Sequence, residues 1–345
     1  MIRRVRLLLI GAGNVGRRFL ELVVRKQDTL RQRLGLELTV VGVADSSGVA
    51  LCPDGLDPQQ IVDLKTTGRS VAEYPRWGQP GVSPLAMVQT AEADLLLDAS
   101  PASMKDGQPG LGCIEAALAR GMHVVTANKA PLVLAFPRLL ALARERGVKL
   151  HYDATVAGGL PAVNLGQRDL AAADIQRLEG VLNLTTNYIL TRMADDGLSY
   201  AEALHDAQVA GHAETDPSLD VEGWDAANKL VILAHSVLRQ PATLDDLAVE
   251  GILGVTPEML AQAAAEGKRV KLLAVAEKQG NGYDLSVRPT WLSADHPLAQ
   301  LKPKQMGIVY HTDISGSIAA AIVEETPLPT ASAMLRDVVD IYARP

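Results

Sequence analysis

The chain has 345 residues, 48% of them apolar, with only two Phe, three Trp and seven Tyr and a formal net charge of −7. That length supports two or three domains with a large core built from Ala, Leu and Val. The acidic balance offers no basic face for nucleic acid, no stretch reaches the roughly 18 apolar residues of a membrane span, and two cysteines, Cys52 and Cys113, are too few for a disulfide framework.

The basic start and short apolar run at the N-terminus are followed closely by Arg17 and Arg18, which argues against a signal peptide. The expectation is a cytoplasmic protein whose first strand covers residues 5–10. Gly11-Ala12-Gly13-Asn14-Val15-Gly16 comes next, then a helical pattern from Val15 to about Lys26. Strand, glycine turn and helix together are the context a dinucleotide site requires. Gly11 permits the tight turn, Gly13 lets a pyrophosphate approach the backbone, and Gly16 lets helix and strand pack closely. The helix N-terminus, with Asn14 and Val15, faces the phosphates.

A second strand, Leu38 to Ala44, ends at Asp45. A carboxylate there can accept hydrogen bonds from the adenosine ribose and would repel a 2′-phosphate, which favours NAD. Arg17, Arg18 or Ser46 support the opposite reading, and a cap or turn role for Asp45 stays open. Residues 50–92 are irregular in pattern and elaborate the same domain. Strands at Asp94–Ala99, His123–Thr126 and Val148–Ala154 alternate with helices near Leu111–Arg120 and Pro137–Arg146. The alternation predicts an α/β, Rossmann-like doubly wound parallel sheet. Ser100, Thr126, Asn128 and Lys129 follow strand ends, where ligands of such sheets bind. Lys129 is a candidate to reach the nicotinamide or the substrate, a solvated loop lysine being the alternative.

From Asp153 the pattern becomes α+β. A glycine turn, Asp153 to Pro161, precedes a helix from about Ala162, and a strand Arg177–Leu184 leads to Thr185-Thr186-Asn187 and another helix. Helices follow at Tyr200–Ala210 and Val221–Leu238, strands at Val270–Glu277, Tyr283–Leu292, Gly307–His311 and Ser317–Glu324, and a last helix at Pro329–Tyr342. The expected division is a nucleotide domain over 1–153, a substrate-binding, catalytic and dimerisation domain over 154–322, and a C-terminal segment and helix over 323–345 that return to the nucleotide domain.

Ala210 to His235 is the most informative stretch. Glu214, Asp216, Asp220 and Asp225 precede Lys229, and Leu-Val-Ile-Leu-Ala follows it. Asp225 and Lys229 lie one turn apart on a helix that is apolar all round beyond the lysine. A lysine at the threshold of a buried helix is placed for charge chemistry on a small polar molecule; taken alone, the pair also fits a surface ion pair.

Over essentially its whole length the chain resembles homoserine dehydrogenase. The matching motifs are G-A-G-N-V-G at Gly11–Gly16, V-V-T-A-N-K-A at Val124–Ala130, A-T-V-A-G-G-L-P at Ala154–Pro161, L-N-L-T-T-N-Y-I-L at Leu182–Leu190, A-E-T-D-P-S-L-D-V-E-G-W-D-A-A-N-K at Ala213–Lys229 and P-L-P-T-A-S-A at Pro327–Ala333. The resemblance implies NAD(P)-dependent interconversion of L-homoserine and L-aspartate 4-semialdehyde by a homodimer. By motif, Lys229 is the proton donor and acceptor, supported by Asp225, and Lys129 stands near the nicotinamide and the substrate oxygen. Glu214 and Asp220 bind the substrate ammonium with Thr186 nearby. Gly11, Gly13, Asn14, Val15, Gly16, Asp45, Ser100 and Thr126 serve the cofactor. Backbone carbonyls of Asp153, Val156, Gly158 and Leu160 form a site for a monovalent cation, Na+ or K+. The chemistry agrees, because hydride transfer to an aldehyde leaves negative charge on oxygen that a lysine ammonium can neutralise and protonate.

Two departures stand out. Leu184 replaces the family's usual Gly, and Val323-Glu324-Glu325-Thr326 replaces a Gly-Ala-Gly stretch near the cofactor. With the chain ending at Pro345, no regulatory amino-acid-binding domain is expected, nor threonine inhibition through one. The competing readings are a semialdehyde dehydrogenase using a cysteine thioester, for which Cys52 and Cys113 are poorly placed, and a catalytically idle NAD(P)-sensing protein.

Overall fold

The apolar run near the N-terminus is a central parallel strand. In the computed structural model, which describes residues 2–343, β1 (Arg3–Ile10) buries Leu7, Leu8, Leu9 and Ile10 completely. Both its faces are covered, so both must be apolar. α1 (Asn14–Leu34) runs well past Lys26 to a left-handed cap at Gly35 (φ 60°).

Residues 2–159 with 326–343 form the first unit, and residues 160–325 the second. The first unit holds a seven-stranded sheet of order β4-β3-β2-β1-β5-β6-β7, with β2 (Leu36–Asp45), β3 (Gly48–Leu51), β4 (Gly78–Pro80), β5 (Leu95–Asp98), β6 (His123–Thr126) and β7 (Leu150–His151). β1 pairs in parallel with β2 and β5, as do β5 with β6 and β6 with β7, while β3 and β4 extend the β2 edge antiparallel. Strand order reverses at β1, so the loops after β1 and β5 flank the crevice where such sheets take ligands.

Residues 50–92 are more regular than their pattern suggested. Besides β3 and β4 they form α2 (Pro58–Thr66) and α3 (Pro84–Thr90). Each has proline in its first turn and a capping side chain just before it, Asp57 accepting from Gln59 N and Ser83 from Ala86 N. α4 (Gly110–Ala119) lies as expected, but α5 (Lys129–Glu145) starts before Pro137, because Asn128 caps it by accepting from Ala130 N. The chain leaves helical geometry at Ala135 (φ −146°), two residues ahead of that proline.

The C-terminal helix α12 (Leu328–Tyr342) buries Ala331, Met334 and Val338 in the core that holds Leu7, Leu9, Phe19 and Leu20, and Tyr342 donates to Asp94 O at 3.0 Å. Ties to α12 also carry the unit past residue 153. Asp153 N donates to Asp337 Oδ2 at 3.0 Å, and Arg336 donates to the Asp153 carboxylate and to Gly159 O. The division therefore falls after Gly159 and Glu325 rather than after 153 and 322.

The second unit begins with α6 (Ala162–Asn164) and β8 (Ile175–Val181), then α7 (Leu184–Asp196), α8 (Tyr200–Val209), α9 (Ser218–Val221) and α10 (Trp224–Ser236). β9 (Leu247–Val249), α11 (Pro257–Ala265), β10 (Lys268–Gln279), β11 (Gly282–Ser293), β12 (Gln305–Thr312) and β13 (Ser317–Val323) complete it. Its sheet runs β13-β12-β8-β10-β11-β9, antiparallel except for β11 with β9. The single helix expected over Val221–Leu238 is broken by Gly223, left-handed at φ 89°. That break starts α10 one residue before Asp225. No helix among the described residues is long and apolar enough to cross a membrane.

Candidate active site

The glycine motif opens the crevice of the first unit. Gly11 is left-handed (φ 88°), and a Cβ on it would lie 2.3 Å from Ala99 O; one on Gly16 would lie 1.9 Å from Gly11 O. Backbone thus packs on backbone at both positions. At Gly13 nothing lies within 4 Å of the Cβ position. Gly13 caps α1, with Asn14 and Val15 in the first turn, so unpaired N–H groups face open space. That is a cradle for an anion at the positive end of a long helix.

Beside it lies a network that sequence reasoning missed. Asp98, fully buried at the end of β5, accepts from Ser100 N at 2.9 Å, Ser100 Oγ at 2.6 Å and Thr126 Oγ1 at 3.1 Å. Asn128 Nδ2 donates to Ser100 Oγ at 3.1 Å, and Asn128 N donates to Thr126 Oγ1 at 2.9 Å. Burial pushes the Asp98 carboxyl up despite these bonds. The network joins Ser100 and Thr126 and seats Asn128, the cap that places Lys129 at the first residue of α5. A polar residue ending an otherwise apolar strand was the available signal.

Asp45 is more committed than expected. Its carboxylate accepts from Lys65 Nζ at 2.7 Å, Val71 N at 2.9 Å, Ser47 N at 2.9 Å and Ser70 Oγ at 3.0 Å. Four bonds fill the lone-pair sites of a carboxylate. Burial pushes its pKa up, but the bonds from Lys65, Val71 and Ser47 outweigh that and hold it below the usual range. A ribose hydroxyl would have to displace one of these donors, and Lys65 already compensates the charge invoked against a 2′-phosphate.

In the second unit the acidic loop, α10 and the start of α7 bring three expected residues, Asp220, Asp225 and Lys229, together with two unexpected ones, Asn183 and Thr185. Lys229 Nζ donates to Asp225 Oδ2 and to Leu182 O, both at 2.6 Å. The side chains of the pair are 13% and 7% exposed, so this is no surface ion pair. An ammonium has three N–H donors, and the third is left for a ligand. Asn183 Nδ2 donates to Asp225 Oδ2 at 2.7 Å and to Asp220 Oδ1 at 2.6 Å, while Thr185 Oγ1 donates to Asp220 Oδ2 at 2.9 Å. Burial, then the charge of Asp225, push the Asp220 carboxyl up, against bonds from Thr185 and Asn183 and the charge of Lys229. The site therefore lacks positive charge and would gain from a cation.

Thr186, expected near the substrate, directs its hydroxyl to Asn183 Oδ1 at 3.0 Å as part of the α7 cap, and its neighbour Thr185 touches Asp220. Glu214 is solvent-exposed on the loop before α9. Leu184 occupies the first position of α7 with ordinary helical geometry, so the backbone there needs no glycine. Glu325 pairs with Lys304 at 3.2 Å and Glu324 is buried.

Asp153, Val156 and Gly158 lie in a turn with two successive left-handed residues, Ala157 (φ 54°) and Gly158 (φ 59°); Leu160 opens the second unit. Two of the expected ligand carbonyls already accept, Asp153 O from Val156 N at 3.3 Å and Leu160 O from Ala162 N at 2.7 Å. Both cysteines are buried, and burial, with the charge of Asp98, pushes the Cys113 thiol up to about 12. A thiol held neutral is no nucleophile.

Residues 11–153 match the family described as Homoserine dehydrogenase, NAD binding domain, and residues 161–339 match Homoserine dehydrogenase. A homoserine dehydrogenase of Methanocaldococcus jannaschii is 35% identical over 97% of this chain and 98% of its own. An NAD(+)-dependent homoserine dehydrogenase of Pseudomonas canavaninivorans is 34% identical over 98% of this chain and 96% of its own. A hyperthermophilic archaeal homoserine dehydrogenase solved in complex with NADPH superposes with a TM-score of 0.85 at 27% identity, covering 99% of this chain and all of the other.

Proposed function

The chain belongs to the homoserine dehydrogenase family, NAD(P)-dependent oxidoreductases that interconvert L-homoserine and L-aspartate 4-semialdehyde, and from that membership we infer that Lys229 carries the proton of this reaction. The observation behind the assignment is the ammonium itself. It is nearly buried, fixed by Asp225 Oδ2 and Leu182 O, and has one N–H uncommitted.

Bound NAD(P) supplies or takes the hydride. As semialdehyde is reduced, Lys229 stabilises the negative charge forming on the carbonyl oxygen and donates its proton there. In the oxidation of homoserine, Lys229 as the neutral amine would take the proton from the hydroxyl oxygen, whose carbon would give up the hydride. Asp225 holds the lysine in place. Asp220, half-buried and beside the like charge of Asp225, pairs with the substrate ammonium, and the exposed Glu214 of the same loop serves as its second carboxylate. Lys129, fixed by the Asn128 cap, meets the substrate oxygen or the nicotinamide end of the cofactor. Gly11, Gly13, Asn14, Val15 and Gly16 hold the pyrophosphate, with Ser100 and Thr126 beside it. The open Gly13 position and the backbone contacts at Gly11 and Gly16 support this fit.

A monovalent cation, Na+ or K+, suits the Asp153–Leu160 turn, since carbonyl oxygens with a spare lone pair are its natural ligands. We assign a homodimer as the working assembly. β13 (SIAAAIV) is a sheet-edge strand without a charged residue, and an edge of this kind is prone to pair with another chain. Two buried free cysteines suit the reducing cytoplasm. The test is initial-rate kinetics on L-homoserine with NAD and NADP side by side: turnover with either supports the assignment, whereas nucleotide binding without turnover would favour the idle sensor.

A further inference from the structure

We propose that the second unit carries a binding site for a small aliphatic carboxylate, in the cavity between α7, the start of β10 and the segment 294–302. This cavity of about 360 Å3 is lined by Arg269, Lys271 and Lys302, by Asp195, and by an apolar wall that includes Leu190 and Ala299.

Lys271 is the anomaly behind the proposal. It is 3% exposed, and no carboxylate of the described residues stands within ion-pairing distance of it. Its ammonium donates to Asn187 Oδ1 at 2.7 Å, Thr191 Oγ1 at 2.8 Å and Leu301 O at 2.9 Å. These neutral oxygens satisfy its three N–H groups but leave its charge uncompensated, and a buried charge without a counter-charge is costly. Burial accordingly moves its pKa down to about 7; Asp195 opposes the shift, and Arg269 and Lys302 add to it.

The other charged residues of the lining are two cations and one carboxylate. Lys302 has no carboxylate partner among the described residues, and Arg269 meets Asp195 through one nitrogen only, at 2.6 Å. Three basic side chains against one carboxylate leave a net charge of +1 with Lys271 neutral and +2 with it protonated, facing a space with an apolar wall. An inorganic oxyanion would leave that wall bare, whereas a carboxylate with a short aliphatic body answers both features. Arg269 and Lys302 hold its oxygens directly, and Lys271 contributes its field from below. α7, which Lys271 grips at Asn187 and Thr191, is also the helix capped by Asn183, so the bound anion stabilises an element that positions Asp220 and Asp225.

The site is tested by calorimetric titration of the full-length protein with isovalerate and, separately, with inorganic phosphate. Saturable binding of isovalerate in the millimolar range ordinary for a fragment is expected, tighter than phosphate. Proton uptake should accompany it at pH 8, because the anion favours charged Lys271. The double variant R269Q/K302Q, altered only at the rim, should fold normally, keep its turnover of homoserine and lose at least tenfold in affinity. Absence of saturation, equal binding by the double variant, or phosphate binding as tightly as isovalerate would overturn the proposal whether or not the enzyme turns over homoserine.

Discussion

Asp220 and Asp225 are bridged by a single nitrogen. Asn183 Nδ2 donates to Asp220 Oδ1 at 2.6 Å and to Asp225 Oδ2 at 2.7 Å, while its Oδ1 accepts from Thr186 N at 2.8 Å to cap α7. One side chain thus separates two like charges and starts a helix. Asn183→Ala should cost about 2 kcal/mol from the lost cap and the unpaired buried groups. It should also lower kcat/KM by roughly tenfold or more through the released carboxylates. Chemical denaturation and steady-state kinetics on the same preparation check both; loss of stability with unchanged kcat/KM would reduce Asn183 to a cap.

Asp220→Asn separates binding from stability. Burial and Asp225 raise the Asp220 pKa, so the folded protein holds its proton more tightly than the unfolded chain does. Relative to that group, stability is greatest below the ordinary Asp value of 3.8 and falls as pH rises through the higher folded value. An amide keeps the bond from Asn183 and can donate to Thr185. The variant should therefore melt no lower than wild type at neutral pH, its advantage shrinking under acid, while KM for homoserine rises steeply. A lower melting temperature at pH 7 would show that the charge is stabilising after all.

Gly13→Ala and Gly16→Ala should diverge. A methyl on Gly16 meets Gly11 O at 1.9 Å and must disturb the turn, whereas one on Gly13 meets nothing within 4 Å of protein. Gly13→Ala should fold and melt like wild type yet raise KM for the nucleotide, because the pyrophosphate approaches there. An unchanged cofactor KM in a well-folded Gly13→Ala protein would move the phosphates elsewhere.

Asp45→Ser should destabilise the first unit as well as alter cofactor choice. It strips acceptors from Lys65, Val71, Ser70 and Ser47, at about 1–3 kcal/mol for a broken charge-assisted network, and frees Lys65 to meet a 2′-phosphate. The ratio of kcat/KM for NADP to that for NAD should rise. If stability is unaffected, the four bonds do not persist in solution.

Much of this was legible in the chain. The buried strand before Gly11, the glycine spacing and the helix after it specify the cofactor crevice, because backbone approach permits few residue types there. Asp225 and Lys229 share a helix face by spacing alone. The residues that escaped notice act through geometry the sequence does not display. Asp98 looks like the polar end of an apolar strand until Ser100, Thr126 and Asn128 close on it. Asn183 and Thr185 look like helix-cap chemistry until α9 delivers Asp220 beside them. Asp45 fits the simple strand-end rule, yet Lys65 and Ser70 reach it from a stretch whose short, proline-started helix has no regular apolar pattern. Local pattern predicts elements well; which side chains meet across elements depends on loops whose course the pattern does not determine.

The central claim is that Lys229 transfers the proton, and the Lys229→Ala variant tests it most directly. With fold and NAD(P) affinity checked by circular dichroism and nucleotide titration, kcat for homoserine oxidation should fall by roughly 10²-fold or more, as removal of a general acid–base group requires. A folded, cofactor-binding variant that keeps more than about a tenth of wild-type kcat would contradict the assignment.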